Sequence, residues 1–144
     1  MTIDEDNSVD VELHWKDKLK VESEIRHFNS ILMDDRKKGD NTAPTPVEMF
    51  LASVGSCLVM SFVYCTHLSG ANLDASNFRV KMVGEVERKN DRLRLVNVKA
   101  EFRLKSSKDD KKLKKCFEKF QPFCILSESI KSGISFSCDL SLIT

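Results

Sequence analysis

The spacing of apolar and polar side chains changes period along the chain, and each change marks an element. Val9, Val11, Leu13 and Trp15 alternate with polar residues, which is the period of a strand with one apolar face. Lys16-Asp17-Lys18 reads as a turn, and Leu19–Glu22 and Ile25–Leu32 continue as weaker strands. The N-terminal part is therefore expected to be an antiparallel meander of two or three strands. From Met33 to Ala43 the chain holds Asp34, Asp35, Arg36, Lys37, Lys38, Gly39 and Asp40, which can build no core and predict a loop. Met49 to Thr66 then carries no charge at all. Apolar residues fall on every side of a helix, so a central helix from about Pro46 to His67 should be buried all round. Thr45 suits an N-cap, Pro46 the first helical position, and Glu48 the third residue after the cap. Ser69-Gly70 ends the helix.

Beyond it, Phe78, Val80, Met82, Gly84 and Val86 alternate across residues 77–88, Lys89-Asn90-Asp91 forms a turn, and Leu93–Leu104 returns as a second long strand. Ser106 or Ser107 can cap a helix from Lys108 to Phe120, with Leu113, Phe117 and Phe120 on one face. Gln121-Pro122 breaks that helix. Cys124–Ser132 reads as a short helix ended by Gly133. Ile134, Phe136, Cys138, Leu140 and Leu142 alternate with polar residues and predict a final strand. Strands, helix, hairpin, helices and strand in that order make an α+β plan rather than α/β. At 144 residues, it is read as one domain spanning 1–144.

Composition narrows the function classes. A formal net charge of +1 gives no global pull toward nucleic acid or an anionic membrane. Five cysteines without C-x-x-C spacing and only three histidines make a zinc site a poor reading. The acidic start without an apolar run gives no sign of a signal peptide, which points to a reducing, cytoplasmic setting with the cysteines mostly as thiols. The uncharged stretch of 18 residues reaches the lower limit for a membrane span. Its serines, and the lack of an aromatic belt or a basic flank, favour a core helix instead. A core helix this apolar in so small a chain suggests that a second subunit helps to cover it.

The cysteines differ in setting. Cys138, on the apolar parity of the last strand, and Cys65, within the apolar helix, read as small buried hydrophobes. Cys116 lies on a lysine-rich helix where no chemistry requires it. Cys124 opens a helix, where backbone N–H groups favour a thiolate. Cys57 sits in an apolar rod that disfavours its thiolate, so a nucleophilic role needs a cation nearby. The candidates are Arg36, Lys37 and Lys38 of the connector, or Arg26 and His27 before it.

Thr45-Pro46-x-Glu48 leading to Leu51-Ala52-Ser53-x-Gly55-Ser56-Cys57, followed by Cys124-Ile125-Leu126-Ser127-Glu128-Ser129-Ile130, resembles the OsmC/Ohr family (osmotically inducible and organic hydroperoxide resistance proteins). The interval 124 − 57 = 67 and the order of elements match as well. The resemblance implies an OsmC-like α+β fold built as an intertwined homodimer. It implies thiol-dependent reduction of organic hydroperoxides with an external dithiol as reductant, and no metal, haem or flavin cofactor. On this sequence Cys57 would be the peroxidatic cysteine and Cys124 the resolving one. Glu48 and Arg36 would be the accompanying acidic and basic residues, with Arg26 as the alternative cation. The chain departs from the family pattern in three places, one being that no motif fixes which of Arg36 and Arg26 stands for the family's activating arginine. Val47 stands ten residues before Cys57, where many members have the catalytic Glu, and Ile125 stands where a Pro follows the resolving cysteine. The other reading is a non-catalytic member that binds a small ligand or senses redox state through its thiols.

Overall fold

The computed structural model describes residues 8–71, 73–105 and 110–143. Its elements are β1 (Glu12–Asp17), β2 (Lys20–Glu24), β3 (Ile31–Met33), α1 (Pro46–Ser69), β4 (Phe78–Lys89), β5 (Arg92–Leu104), α2 (Lys111–Lys119) and α3 (Ile125–Ser132). The chain falls into two compact units: the residues up to Ser53 with Met82–Ala100, and Val54–Lys81 with the residues from Glu101 onward.

In the first unit β1, β2 and β3 form an antiparallel sheet in that order, with Leu13 opposite Ser23 and Val21 opposite Met33. The turn between β1 and β2 has Lys18 in the left-handed region, and the Trp15 indole donates to the Lys18 carbonyl at 2.8 Å. The expected strand Ile25–Leu32 is cut short. Phe28 N–H donates to Ile25 O at 3.1 Å and Arg26 takes φ +47°, so a tight turn consumes its first half and only residues 31–33 pair.

The charged connector is a loop, as expected, but it is organised around one buried carboxylate. Asp34 accepts from Asp35 N–H at 2.7 Å, Thr42 N–H at 3.1 Å and the Thr42 hydroxyl at 2.7 Å. These bonds satisfy backbone groups that no sheet or helix reaches. A side chain at Gly39 would collide with Asp34 Oδ1 and the Asp35 carbonyl. Asp40 ties the loop to the first turn through Lys18 at 3.1 Å and Lys20 at 2.8 Å.

At the tip of the β4–β5 hairpin, Asn90 and Asp91 take φ +51° and +62°, the two left-handed positions a tight two-residue hairpin turn requires. Gly84 allows close packing: a Cβ there would lie 2.9 Å from Leu95 Cδ1 and 3.2 Å from Leu51 Cδ1.

The second unit is built on aromatic rings. Phe62 is fully buried, with ring centroids 5.5 Å from Phe78, 5.4 Å from Phe102 and 5.4 Å from Phe120. Edge-to-face and tilted pairs of this kind add to what apolar burial provides. Asp110 caps α2, accepting from Leu113 N–H at 3.0 Å. The expected caps Ser106 and Ser107 lie outside the described residues. Gly133, at φ +74°, ends α3.

Two expectations need correction. The central helix is not buried all round: Val54, Cys57, Leu58, Phe62 and Thr66 are buried, while Met60, Val63, Tyr64 and Leu68 form an exposed apolar stripe. One chain covers one side of the rod, and the sequence pattern reports the whole rod. The helix is long and apolar enough to cross a membrane by length and composition, yet its inner side carries the aromatic core. The final strand is also absent among the described residues. Residues 134–143 pair with nothing, and Ile134, Phe136, Cys138, Leu140 and Leu142 are exposed. An alternating pattern signals a face that could be buried; it supplies neither the partner strand nor the cover, and the described residues offer neither.

Candidate redox site

Two sulfurs 67 positions apart in sequence meet in the second unit. Cys57 lies on the inner face of α1, beside Val54, Leu58 and, one turn further, Ser61, whose hydroxyl donates to the Cys57 carbonyl at 2.9 Å. Cys124 is the N-cap residue of α3. Its place is set by a chain of backbone bonds: Phe120 N–H to Cys116 O at 2.9 Å, Cys124 N–H to Gln121 O at 3.0 Å, and Glu128 N–H to Cys124 O at 3.2 Å. Pro122 sits in the single 3-10 turn that delivers it. Both sulfurs are buried free thiols, Cys57 5% and Cys124 0% exposed, and they lie within hydrogen-bonding reach of each other.

Their protons are not shared evenly. Burial raises Cys57, the neighbouring Cys124 sulfur raises it further, and the N–H groups of Leu126 and Ile125 only partly offset this. Burial works against the Cys124 thiolate too. There it is outweighed by the Ser127 hydroxyl, the Ser127 and Leu126 N–H groups and the Cys57 thiol, so Cys124 is pulled below the ordinary thiol value. No formed side-chain hydrogen bond caps α3. The pull comes first from the Ser127 hydroxyl and then from the N–H groups at the start of α3, the setting that favours a sulfur anion at a helix start. Ser127 Oγ is buried without a formed hydrogen bond, which leaves its dipole free to face that charge. The arrangement therefore places two thiols of unequal acidity side by side, Cys124 the more acidic and Cys57 the less, which is a starting point for disulfide formation.

The other expected site residues belong to the first unit. Glu48 forms a capping box with Thr45: Thr45 N–H donates to Glu48 Oε1 at 3.0 Å, and Glu48 N–H donates to Thr45 Oγ1 at 3.2 Å. These bonds, then the charge of Arg36, hold Glu48 below the usual carboxylate range. Arg26 places its guanidinium over the Phe28 ring, 4.8 Å from the centroid.

The structure also brings together residues that the sequence did not. Cys65 and Cys116 are joined in a disulfide with Cα atoms 5.8 Å apart, which corrects the reading of Cys65 as packing and of Cys116 as a thiol without chemistry. The available signal was register: 65 − 57 and 124 − 116 both equal 8. Ser127 could have been found as the third residue after a helix-opening cysteine. One group among the described residues has the spacing for a metal, Glu12, His14 and Glu24 on the exposed meander, and the His14–Glu24 contact at 3.3 Å accounts for it.

Residues 39–139 match the family model described as OsmC-like protein. No curated protein matches the sequence. Among solved structures, the OsmC-like protein of Mycoplasma pneumoniae is similar at TM-score 0.75 and 12% identity, over 88% of this chain and 89% of that one. An OsmC-like protein of unknown function from Vibrio cholerae O1 biovar eltor str. N16961 is similar at 0.66 and 16%, over 85% and 93%. A Psychrobacter arcticus 273-4 protein named for the osmotic stress and detoxification response is similar at 0.68 and 16%, over 83% and 85%. At these identities the likeness to the solved structures is one of fold.

Proposed function

The chain belongs to the OsmC-like protein family, and from that premise we propose that it is a two-cysteine peroxidase that reduces organic hydroperoxides. The observation that carries the reading is the neighbouring pair of buried free thiols, Cys57 on α1 and Cys124 at the start of α3. A thiolate attacks the outer oxygen of ROOH, the O–O bond breaks, and the alkoxide takes a proton to leave as ROH. The attacking sulfur becomes a sulfenic acid. The second thiol displaces water from it and closes the disulfide. An external dithiol then exchanges with that disulfide, restoring two protein thiols and leaving oxidised as its own disulfide.

Cys57 is the proposed peroxidatic residue and Cys124 the resolving one. The apolar side of α1 suits an alkyl group, and Arg36 with Glu48 are the proposed accompanying charges. A second reading exchanges the two sulfurs, and the order of acidity supports it: Cys124 is the thiol pulled down and Cys57 the one pushed up. The proposed working form is a cytoplasmic homodimer. Support comes from the exposed stripe Met60, Val63, Tyr64 and Leu68 and from the uncovered apolar residues of 134–143.

The test mixes reduced protein with cumene hydroperoxide, counts thiols and traps sulfenic acid with a carbon nucleophile. A peroxidase loses the Cys57 and Cys124 thiols together and turns over with a dithiol. Cys124→Ser traps sulfenic acid on Cys57 under the first assignment; Cys57→Ser traps it on Cys124 under the second. A single oxidation that no dithiol converts into turnover identifies a redox sensor instead, and no thiol loss ends the redox reading.

A further inference from the structure

We propose that Cys65 and Cys116 form a second redox couple, opened and reclosed by exchange with external dithiols and chemically separate from Cys57 and Cys124. Three observations carry it. First, the two sulfurs are unequally accessible: Cys65 is partly exposed, whereas Cys116 is 3% exposed. Exchange needs an incoming thiolate to reach one sulfur in line with the bond, so attack falls on Cys65 and Cys116 is the leaving sulfur.

Second, the leaving sulfur has a donor in place. Ser69, one turn beyond Cys65 on α1, has its hydroxyl 3.5 Å from Cys116 Sγ and 3.2 Å from the Thr66 carbonyl. The hydroxyl has one proton. Negative charge arriving on Cys116 draws that proton toward sulfur, because a charged acceptor makes the stronger bond. Third, Cys116 stands in the run Lys111-Lys112-Leu113-Lys114-Lys115-Cys116-Phe117-Glu118-Lys119. Of its lysines, Lys112 and Lys119 stand four residues before and three residues after Cys116, the spacing of helix neighbours; a neighbouring ammonium lowers the cost of a thiolate, and an easily released thiolate makes a disulfide reducible.

The step balances. A dithiol thiolate attacks Cys65 Sγ, the Cys65–Cys116 bond breaks, and Cys116 leaves as a thiolate that later takes a proton. The dithiol's second sulfur attacks the mixed disulfide, releases Cys65 as a thiol and leaves as an oxidised dithiol. Reclosure by an oxidised dithiol is the reverse. Direct exchange with the other pair is excluded by distance, since Cys65 lies eight residues along α1 from Cys57, a rise of about 12 Å.

The experiment uses the folded full chain carrying Cys57→Ser and Cys124→Ser, so its outcome does not depend on the peroxidase assignment. The oxidised protein is exposed to dithiothreitol, or to glutathione as a single-thiol probe, quenched with acid, alkylated, digested and mapped by mass. Expected are loss of the Cys65–Cys116 linked peptide without denaturant, a glutathione adduct on Cys65, and restoration of the link by oxidised glutathione after the dithiothreitol is removed. Ser69→Ala should slow the reduction by roughly threefold or more. A link that resists dithiothreitol until the protein is unfolded overturns the proposal, as does an adduct on Cys116 or a link that oxidised glutathione never forms. An unchanged rate in Ser69→Ala overturns the assignment of Cys116 as the leaving sulfur.

Discussion

Opening the Cys65–Cys116 bond should cost a large share of the stability of this chain, and the size follows from the loop it closes. The two residues are 51 positions apart, and the segment between them includes Phe78 and Phe102 of the aromatic cluster. Cross-linking a loop of that length removes about 14 cal/mol/K from the unfolded ensemble, or about 4 kcal/mol at 25 °C. A chain of 144 residues unfolds with about 300 cal/mol/K near its midpoint, so the loss corresponds to a drop of about 13 °C in Tm. The clean perturbation is Cys65→Ser in the Cys57→Ser, Cys124→Ser background. It changes the partly exposed partner and leaves Cys116 as a small buried hydrophobe. Circular dichroism melts of the oxidised parent and the variant are compared at one protein concentration, because association would raise both midpoints. A difference below about 2 °C would refute the chain-entropy reasoning.

Three further outcomes are expected. Iodoacetamide should modify Cys124 at a lower pH than an ordinary thiol and Cys57 only at a higher one, because the first is pulled down by the start of α3 and the second pushed up by burial; mass mapping that finds Cys57 first would reverse the electrostatic assignment. Phe62→Ala should lose about 3–5 kcal/mol, read from urea melts, since the ring is fully buried among other rings; a loss under about 1 kcal/mol would mean the cluster repacks. Asp34 is held below the ordinary carboxylate range chiefly by the Thr42 hydroxyl. Its contribution is therefore present at ordinary carboxylate pH and above, and is lost as pH falls through the lowered value. Hydrogen exchange at Thr42 should accelerate in that acid window, and Asp34→Ala should show the same fast exchange at neutral pH.

Much of the fold was legible because local chemistry and long-range packing agree. The capping box of Thr45 and Glu48 was visible as two residue types at one spacing, and it formed. The hairpin turn was visible at Lys89-Asn90-Asp91, because few residues tolerate the left-handed positions it needs. What stayed hidden depended on partners. Residues 25–28 have strand-like composition, yet one left-handed residue, Arg26, turns them aside. Residues 134–143 have a period of two and no partner strand among the described residues. Asp34 looked like one more charge in a solvated loop; nothing in its neighbours says that three donors from as far as Thr42 will close around it. Of the site, the meeting of Cys57 and Cys124 was legible only through the family resemblance that their two motifs carry at an interval of 67 residues; the helix start and the apolar rod by themselves paired neither sulfur. The proton's preference between the two sulfurs was not legible, since it depends on which N–H groups of α3 face which sulfur.

The same geometry explains why this chain can hold two sulfur couples without scrambling them. Cys57 and Cys65 are eight residues apart on α1, and their partners Cys124 and Cys116 are eight apart in the opposite direction. The pairing is thus an antiparallel ladder with one rung at each end. Eight helical residues rise about 12 Å, far beyond the length of a sulfur–sulfur bond, so under the proposed chemistry a sulfenic acid at the first rung would meet only its own partner. The environments of the rungs differ as well. The first is bordered by the α3 N–H groups and the Ser127 hydroxyl, the second by Ser69 and the α2 lysines. Because the stability of a disulfide follows the cost of releasing its thiolates, two rungs with different donors need not open at one potential. At an intermediate dithiol ratio one can be closed while the other is open.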